Sequence, residues 1–319
     1  MRITAVAGGV GGSRFLRGLL AAAPRAQVTV IGNVGDDITL HGLRVCPDLD
    51  TVMYALGGGI HEGQGWGRAD ETFAVAAELA EYGVGPDWFT LGDRDIATHL
   101  VRTQMLDAGY PLSAVTEALC ARWKPGVRLL PATDDRAETH VILADDDGKR
   151  RAVHFQEYWV RLHAPQAESI VFVGAEKAQP APGVLDAIAE ADVVLFPPSN
   201  PVVSIGAVLA VPGIREALES SAAPVVGLSP IIGSAPVRGM ADKVLAAVGV
   251  SETSAAAVAE YYGPSLLDGW LVDEADAQQA ARVEAAGIRC RAVPLLMRDA
   301  DATAAMARAA LDLAAELKR

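Results

Sequence analysis

The most suggestive chemistry in this sequence lies near its start, where four glycines fall within five positions. Gly8, Gly9, Gly11 and Gly12 follow an apolar stretch and precede a helical pattern. Glycines at such a place let backbone N–H groups approach a phosphate closely. The stretch lacks the Gly-Lys-Ser/Thr ending of a P-loop, and Arg14 stands where a dinucleotide fingerprint has its third glycine. We interpret it as a phosphate or nucleotide contact, with a tight strand-to-helix turn as the alternative.

A second polar loop follows the next apolar stretch. Its polar side chains are those of Asn33, Asp36 and Asp37. Open α/β sheets bind ligands at the carboxyl ends of their strands, so an aspartate here suits a ribose or a base. On this motif alone, turn and helix-capping roles explain the same residues equally well.

Asp48 and Asp50 form a D-x-D step in a segment that a proline makes stiff. Side chains two residues apart face the same side of an extended chain, so both carboxylates would converge on one hard cation. Mg²⁺ bound in this way would bridge a diphosphate. The alternative is an exposed acidic turn.

A fourth motif places two carboxylates around an arginine at an expected helix start. It consists of Gly92, Asp93, Arg94 and Asp95. Asp93 or Asp95 would serve as general base or as a further metal ligand, and Arg94 would bind a phosphate or carboxylate. A helix N-cap with a local ion pair is the alternative for this motif taken alone.

Two further groups of residues suit ligand contacts. A rigid polar loop after a very apolar stretch is a ligand-loop position, and we expect its side chains to contact a nucleotide; they are Ser199, Asn200 and Ser204. A similar Ser-Pro-Ile-Ile-Gly loop, 229–233, follows the next expected strand. Alternatively, both loops serve only as connections between elements.

The second group would flank an aromatic ligand, although packing explains it as well; it comprises His154, Gln156 and Trp159.

The elements that must position these residues follow from hydrophobic patterning. The chain opens as strand, glycine loop, helix and strand, and later strands alternate with helices, which predicts a doubly wound, mostly parallel α/β sheet. We predict one domain over residues 1–319, with a helical cap or insertion at about 70–165. Within that segment, Asp145 to Gly148 is expected to be a solvated hairpin turn.

Composition limits the function classes. The chain has 319 residues, 51% of them hydrophobic, and a formal net charge of −13, which argues against general affinity for nucleic acid or an anionic membrane. No apolar segment approaches the roughly 20 residues of a membrane span, and no signal peptide is evident. The three cysteines are far apart, so a cytoplasmic protein without disulfides is expected.

Taken together, seven ordered motifs resemble the family of 2-phospho-L-lactate transferases of coenzyme F420 biosynthesis, especially its actinobacterial, phosphoenolpyruvate-transferring branch. The resemblance extends nearly end to end. It is carried by the motifs above together with His154-Phe155-Gln156 and Ser229-Pro230-Ile231-Ile232-Gly233. It implies a Rossmann-like fold and a donor in which guanosine 5′-diphosphate carries enolpyruvate or lactate on its terminal phosphate.

The resemblance also implies the acceptor, the products and the partners. The acceptor would be the deazaflavin Fo, and the products GMP with dehydro-F420-0 or F420-0. Mg²⁺ and a homodimer are implied as well. The family pattern places Asp50 with Thr51 at a deazaflavin and metal region, and Gly92 to Arg94 along the acceptor pocket.

Two other functions compete with this reading. A non-enzymatic, nucleotide-sugar-binding regulator of the gluconeogenesis-factor type resembles the transferases in fold and glycine loop, but the two acidic motifs favour the transferase. A nicotinamide-dependent dehydrogenase is suggested only by the βαβ opening, and the missing third glycine counts against it. The sequence does not decide between the enolpyruvyl and lactyl donors, and the first is favoured by family branch alone.

Overall fold

A computed structural model describes residues 1–145 and 147–317 of the chain. The strands are β1 Arg2–Ala7, β2 Gln27–Gly32, β3 Ile38–Leu40, β4 Leu43–Val45, β5 Arg128–Pro131, β6 Glu138–Ala144, β7 Arg150–His154, β8 Ser169–Val173, β9 Val193–Phe196, β10 Val225–Leu228, β11 Ile231–Ile232, β12 Ala235–Pro236, β13 Gly269–Val272 and β14 Arg289–Ala292. The α-helices are α1 Gly9–Ala22, α2 Pro47–Leu56, α3 Ala74–Glu81, α4 Asp93–Asp107, α5 Leu112–Trp123, α6 Val184–Ala189, α7 Ala207–Leu209, α8 Ile214–Glu219, α9 Ala241–Ala247, α10 Ala255–Tyr262, α11 Ala280–Ala285 and α12 Ala300–Leu317. Shorter turns are the 3₁₀ segments Ala175–Lys177 and Glu274–Gln279 and the π-helical segments Glu157–Arg161 and Pro201–Gly206.

Seven parallel strands form the central sheet, in the order β14-β13-β10-β9-β1-β2-β5. The chain runs from β1 outward through β2 to β5, and then returns to the other side of β1 as β9. The order therefore reverses between β1 and β9, and ligands bind at such a switch point, beside the carboxyl ends of the strands. The glycine loop after β1 and the Ser199 loop after β9 flank this point.

Both faces of the sheet are covered, which confirms the predicted doubly wound α/β class. Alternate residues of one strand enter different hydrophobic clusters, because successive side chains point to opposite faces. Val6 packs in the cluster that contains β6 and α8, whereas Ala5 and Ala7 pack in the cluster that contains α1, α2 and α12. Among the described residues, every helix is too short or too polar to span a bilayer.

The segment 70–165 differs in part from a simple helical insertion. Its helices are α3, α4 and α5, but β5 within it joins the central sheet beside β2. The predicted hairpin is confirmed as β6 and β7, which pair antiparallel. Its predicted acidic turn includes Asp146, which lies outside the described residues. Apolar patterning also predicts a strand from Ile170 to Gly174. This strand is β8, and it extends the small antiparallel sheet rather than the central one.

Three local predictions were wrong. The D-x-D segment is not extended, since Asp48 and Asp50 lie in the first turn of α2, with Pro47 at the helix start, a place that suits proline. The sequence pattern predicts one helix from Val208 to Ser220, but this stretch is divided into α7 and α8 by the break at Pro212 and Gly213, whose φ is +90°. The sequence patterns also missed α10, an alanine-rich helix with Ser254 as its N-cap.

Close packing explains one glycine at the switch point, and this can be tested. A Cβ on Gly11 would overlap the carbonyl oxygen of Pro198, which is backbone and has little room to move. We expect Gly11→Ala to lower the free energy of unfolding by about 1–3 kcal/mol, because an added methyl overpacks the site. Chemical denaturation measures the loss, and Ala21→Ser on the exposed side of the same helix is the control. Equal stability of both variants with the wild type would contradict this packing argument.

Candidate active site

Four of the predicted motifs meet around Gly8, at the carboxyl end of β1. A Cβ at this position would overlap the Asp48 carboxylate and would lie 2.9 Å from the Cβ of Ser204 and 3.1 Å from that of Asn33. The Gly8 N–H donates to Ser199 Oγ at 3.3 Å, and the Ser199 hydroxyl donates to the Gly8 carbonyl at 2.8 Å. The glycine loop, the Asn33 loop, α2 and the loop after β9 thus meet at one place, at the carboxyl edge of the sheet where the switch-point argument predicts a ligand.

The Asn33 amide holds two carboxylates together. Its Nδ2 donates to Asp36 Oδ1 at 3.0 Å and to Asp48 Oδ2 at 2.9 Å, and lies 3.2 Å from the carbonyl oxygen of Val203. Its Oδ1 accepts from the Gly35 N–H at 2.8 Å. Asn33, Asp36 and Asp48 are all buried, so this amide fixes the orientation of both carboxylates.

Burial leaves these carboxylates poorly solvated. Burial, followed by the charge of Asp48, raises the pKa of Asp36 well above its ordinary value. Burial raises the pKa of Asp48 to about 6, although the hydrogen bonds from Asn33 and the Gly9 backbone lower it. Two adjacent acids with raised pKa values are typical of a functional site.

The raised pKa of Asp48 predicts a pH dependence of stability. The folded protein binds a proton on Asp48 more tightly than the unfolded chain does. The contribution of this proton to the free energy of unfolding is therefore complete below the ordinary pKa of 3.8 and is lost as pH rises through about 6. We expect the free energy of unfolding in EDTA, relative to Asp48→Asn, to fall between pH 5 and pH 7. The lowered pKa of His154, caused mainly by burial, has the opposite sign, and the comparison with the variant cancels it. A difference that is flat or rises with pH would contradict the prediction.

The second carboxylate of the D-x-D step faces elsewhere. Residues two apart on an α-helix are separated by about 200° around its axis. Asp48 therefore faces Gly8 and Asn33, while Asp50 Oδ1 accepts a short hydrogen bond from the buried guanidinium of Arg102. Asp50 Oδ2 is buried without a hydrogen-bond partner in the described part of the chain. The geometric reason given for one cation shared by Asp48 and Asp50 was wrong.

A polar network on α4 supports Asp50. Arg102 Nη1 donates to His99 Nδ1 at 3.0 Å, and His99 Nε2 lies 3.6 Å from Asp95 Oδ1. That carboxylate also accepts from the Tyr54 hydroxyl at 2.6 Å. Burial acts to raise the pKa of Asp95, but its contacts with His99 and Tyr54 outweigh burial and hold it below its ordinary value. Asp95 is thus an ionised anchor between α2 and α4.

Asp93 and Arg94 occupy the exposed start of α4. Asp93 accepts hydrogen bonds from the Thr72 hydroxyl and from two backbone N–H groups at the start of α3, which lower its pKa. Its carboxylate therefore joins α3 to α4, as in the capping alternative. The Arg94 side chain extends into solvent, 3.9 Å from Asp70, and Gly92 packs against the Glu71 side chain.

The residues around the Asp37 loop have structural partners. Asp37 Oδ2 pairs with Arg44 at 3.0 Å, and burial raises the pKa of Asp37 to about 6. His154 Nε2 donates to the Asp37 carbonyl at 3.0 Å, and its Nδ1 accepts from the Gln156 N–H at 3.1 Å. Both ring nitrogens are thus occupied, which agrees with the packing alternative, while the half-exposed Trp159 lies one turn further on.

The remaining predicted residues lie in the same region. Asn200 Oδ1 accepts from the N–H groups of Val202 and Val203, so it caps the segment after β9. Ser204 and Thr51 are buried beside the site. Sequence reasoning missed Arg102, His99 and Tyr54. The spacing of Asp95, His99 and Arg102 by four and three residues was a usable signal, since it places three polar groups on one helix face.

The chemistry of this site suits a divalent cation. The carboxylates of Asp36 and Asp48 are neighbours, since one oxygen of each accepts from Asn33 Nδ2. Mg²⁺ commonly uses one or two carboxylates together with substrate phosphates and waters. In the described ranges, no group of three or more histidine, cysteine, aspartate or glutamate side chains forms a ready-made metal site. The residues therefore fit a cation that substrate phosphates help to bind.

Comparisons with known proteins agree with this geometry. A family model described as 2-phospho-L-lactate transferase CofD matches residues 3–306. The phosphoenolpyruvate transferase of Streptomyces coelicolor is 73% identical over 319 residues, covering 100% of this chain and 99% of its own. The proteins of the same name from Thermobifida fusca and Mycolicibacterium smegmatis are 67% and 57% identical, covering 100% and 98% of this chain and 99% of each relative.

A solved structure supports the fold independently. A UPF0052-family protein of Bacillus halodurans superposes with a TM-score of 0.66 at 18% identity, covering 97% of this chain and 98% of that one. This likeness concerns architecture alone. The family match over nearly the whole length, together with relatives of high identity, identifies the chain as a transferase that belongs to the 2-phospho-L-lactate transferase CofD family.

Proposed function

We propose that this enzyme transfers phosphoenolpyruvate from enolpyruvyl-2-diphospho-5′-guanosine to the deazaflavin Fo, giving dehydro-F420-0 and GMP. One observation supports this class of reaction. At the switch point, the glycine loop and the loop after β9 meet the Asp36 and Asp48 carboxylates that Asn33 holds together. The names of the similar proteins support the enolpyruvyl group over the lactyl group. We further propose a cytoplasmic homodimer.

The reaction needs charge dispersal, alignment and a proton acceptor. The primary ribityl hydroxyl of Fo attacks the phosphorus that bears the acid, a P–O bond to Fo forms, and the P–O bond to GMP breaks. Gly8, Gly9, Gly11 and Gly12 would let the diphosphate approach the N-terminus of α1, whose unpaired backbone N–H groups would bind it. Ser199 and Ser204 would line the nucleotide side of the same pocket.

We assign the cation to Asp48 and Asp36 in place of Asp48 and Asp50. Mg²⁺ bound there would neutralise phosphate charge as GMP leaves. Asp50 Oδ2, which makes no hydrogen bond within the described residues and lies 3.7 Å from His99 Nδ1, would then receive the proton of the acceptor hydroxyl. Arg102 would hold this carboxylate ionised and oriented.

The remaining assignments also stay proposals. We expect Thr51, Gly92 and Arg94 on the acceptor side, with His154, Gln156 and Trp159 behind the Asp37 loop. Asp93 and Asp95, predicted as alternative general bases, have hydrogen bonds that fit structural roles better. Turnover that persists in Asp93→Asn and Asp95→Asn would remove them from the chemistry.

The experiment is turnover of the purified protein with Fo, Mg²⁺ and each chemically prepared guanosine donor. GMP and the mass of the deazaflavin product are followed, with EDTA as the control. A Mg²⁺-dependent product with the enolpyruvyl donor supports the proposal, and a preference for the lactyl donor keeps the reaction and changes the substrate. Ligand binding without any product would instead favour the non-enzymatic regulator.

A further inference from the structure

Two arginines come together above the glycine loop from distant parts of the chain. Arg14 lies on α1, one helical turn after Val10, and Arg238 follows β12 in the hairpin after β10. Both guanidinium groups lie near Gly65, which packs against Val10 in the first turn of α1. They therefore meet beside the helix start that follows the glycine loop.

Gly65, in the loop 61–67, lies beside both guanidinium groups. A Cβ at Gly65 would lie 3.4 Å from Arg238 Nη1 and 3.6 Å from Arg14 Nη2, so both guanidinium groups border one small space. The same point lies 2.7 Å from Val10 Cγ1, and Gly65 has a φ of +76°. Glycine is thus required here both by the backbone and by the narrow gap.

Among the described residues, no acidic side chain forms an ion pair with either arginine. Arg238 donates a short hydrogen bond to the Gln64 carbonyl, and the Arg14 side chain makes no hydrogen bond or ion pair within residues 1–145 and 147–317. Glu62, an acid of the neighbouring loop, already pairs with Arg17 at 2.9 Å. Burial and then the charge of Arg14 lower the pKa of Arg238. Within the described part of the chain, the two adjacent guanidinium groups thus have no acidic partner, although the net charge of the protein is −13.

The chemistry of the proposed donor supplies the missing anion. The N-terminus of α1 is the place for its diphosphate, because the N-cap residue is Gly8, which has no side chain to cap the helix. The carboxylate of the transferred acid is three bonds from phosphorus, and Arg14 lies one helical turn, ~5.4 Å, from Val10 along α1. A planar guanidinium binds a carboxylate through two parallel hydrogen bonds.

We propose that Arg14 and Arg238 bind the carboxylate of the three-carbon acid carried by the donor. This inference rests on the proposed function and adds the residues that recognise the transferred group. The pair would distinguish the full donor from GDP, which lacks the acid. The two arginines are positioned by Gly65 and by the Gln64 carbonyl, so the loop 61–67 forms part of this subsite.

Calorimetric titration tests the inference with two ligands, GDP and the chemically prepared enolpyruvyl donor, without Fo. In Arg14→Gln and Arg238→Gln we expect the Kd of the donor to rise at least tenfold and that of GDP less than threefold. Arg14→Lys should restore part of the donor affinity, because the charge remains but the paired geometry is lost. Arg17→Gln is the matched control, since it removes a contact to the same loop from the same helix, and it should change neither Kd.

Several outcomes would overturn the inference. Equal weakening of GDP and donor would assign the pair to the diphosphate or to loop structure, and unchanged donor binding would remove it from recognition. Wild-type protein that binds the donor no more tightly than GDP would overturn it as well. The proposed reaction is tested by a separate measurement, since absence of product with Fo and Mg²⁺ would reject it. A selective loss of donor binding without turnover would leave the arginine pair in place and reject only the reaction.

Discussion

Replacing Arg102 with methionine is expected to lower the free energy of unfolding by about 3–5 kcal/mol, because it leaves the buried Asp50 carboxylate without its cation. Arg102 is 2% exposed and Asp50 5%. Burial alone acts to lower the pKa of Arg102, but the charge of Asp50 outweighs it and raises that pKa. The charges of Arg102 and Asp50 are thus stable in the interior because they are paired with each other.

Urea denaturation of the wild type, Arg102→Met and the double variant Arg102→Met/Asp50→Asn measures this dependence. The double variant should recover part of the loss, since it buries no unpaired charge. In Arg102→Met the loss should be larger at pH 8 than at pH 5, because the isolated Asp50 carboxyl can accept a proton at the lower pH. Arg25→Met, at an exposed position, is the control.

A loss below about 1 kcal/mol in Arg102→Met, the value typical of an exposed pair, would contradict the buried-pair argument. So would a double variant that is less stable than Arg102→Met itself. The second result would mean that Asp50 stabilises the fold through contacts other than Arg102. Both measurements concern the protein without substrate, so they do not depend on the proposed reaction.

Replacing Asp48 with asparagine is expected to reduce turnover on the order of 100-fold or more while leaving the fold intact. Asparagine has nearly the same shape and can still present an oxygen to the Asn33 amide. It removes a desolvated charge, however, and with it one of the two carboxylates proposed to bind the cation. In EDTA near pH 7 the variant should be at least as stable as the wild type, because the raised pKa of Asp48 shows that burial disfavours its charged form.

Activity lost together with stability gained or kept would distinguish a functional carboxylate from a structural one. Turnover with saturating donor and denaturation in EDTA are measured on the same preparation, and Asp312→Asn on the exposed side of α12 is the control. A variant that loses stability and activity in parallel would assign Asp48 to the fold. Full activity would exclude it from the site.

Several features could be predicted from the sequence because they depend on local patterning. Short apolar stretches alternating with helical periodicity are enough to predict a parallel sheet with helices on both faces. The carboxyl ends of parallel strands share one edge, which makes the polar loops containing Gly8, Asn33 and Ser199 candidates for ligand contacts. The order of the motifs along the chain also indicates the family.

The roles of individual charged residues depended on tertiary contacts. Asp48 and Asp50 look equivalent in the sequence, but a helix starting at Pro47 turns one toward Gly8 and the other toward Arg102, which is 52 residues away. The local pattern is compatible with both extended and helical backbone. Side chains two positions apart point to the same side of an extended chain but to nearly opposite sides of a helix. Only packing of α4 against α2 decided which carboxylate acquired a buried cation.

The same reason applies to the arginine pair. Neither Arg14 nor Arg238 has a local motif that predicts anion binding. Arg14 lies on the helix after β1 and Arg238 lies beyond the hairpin after β10, so their neighbourhood depends on the β10-β9-β1 strand order. By itself, the sequence determined the fold class, the family and the edge of the sheet where chemistry occurs. The tertiary structure decided which charges are paired, which remain free for a substrate and which only join helices, because those outcomes depend on contacts between residues far apart in the chain.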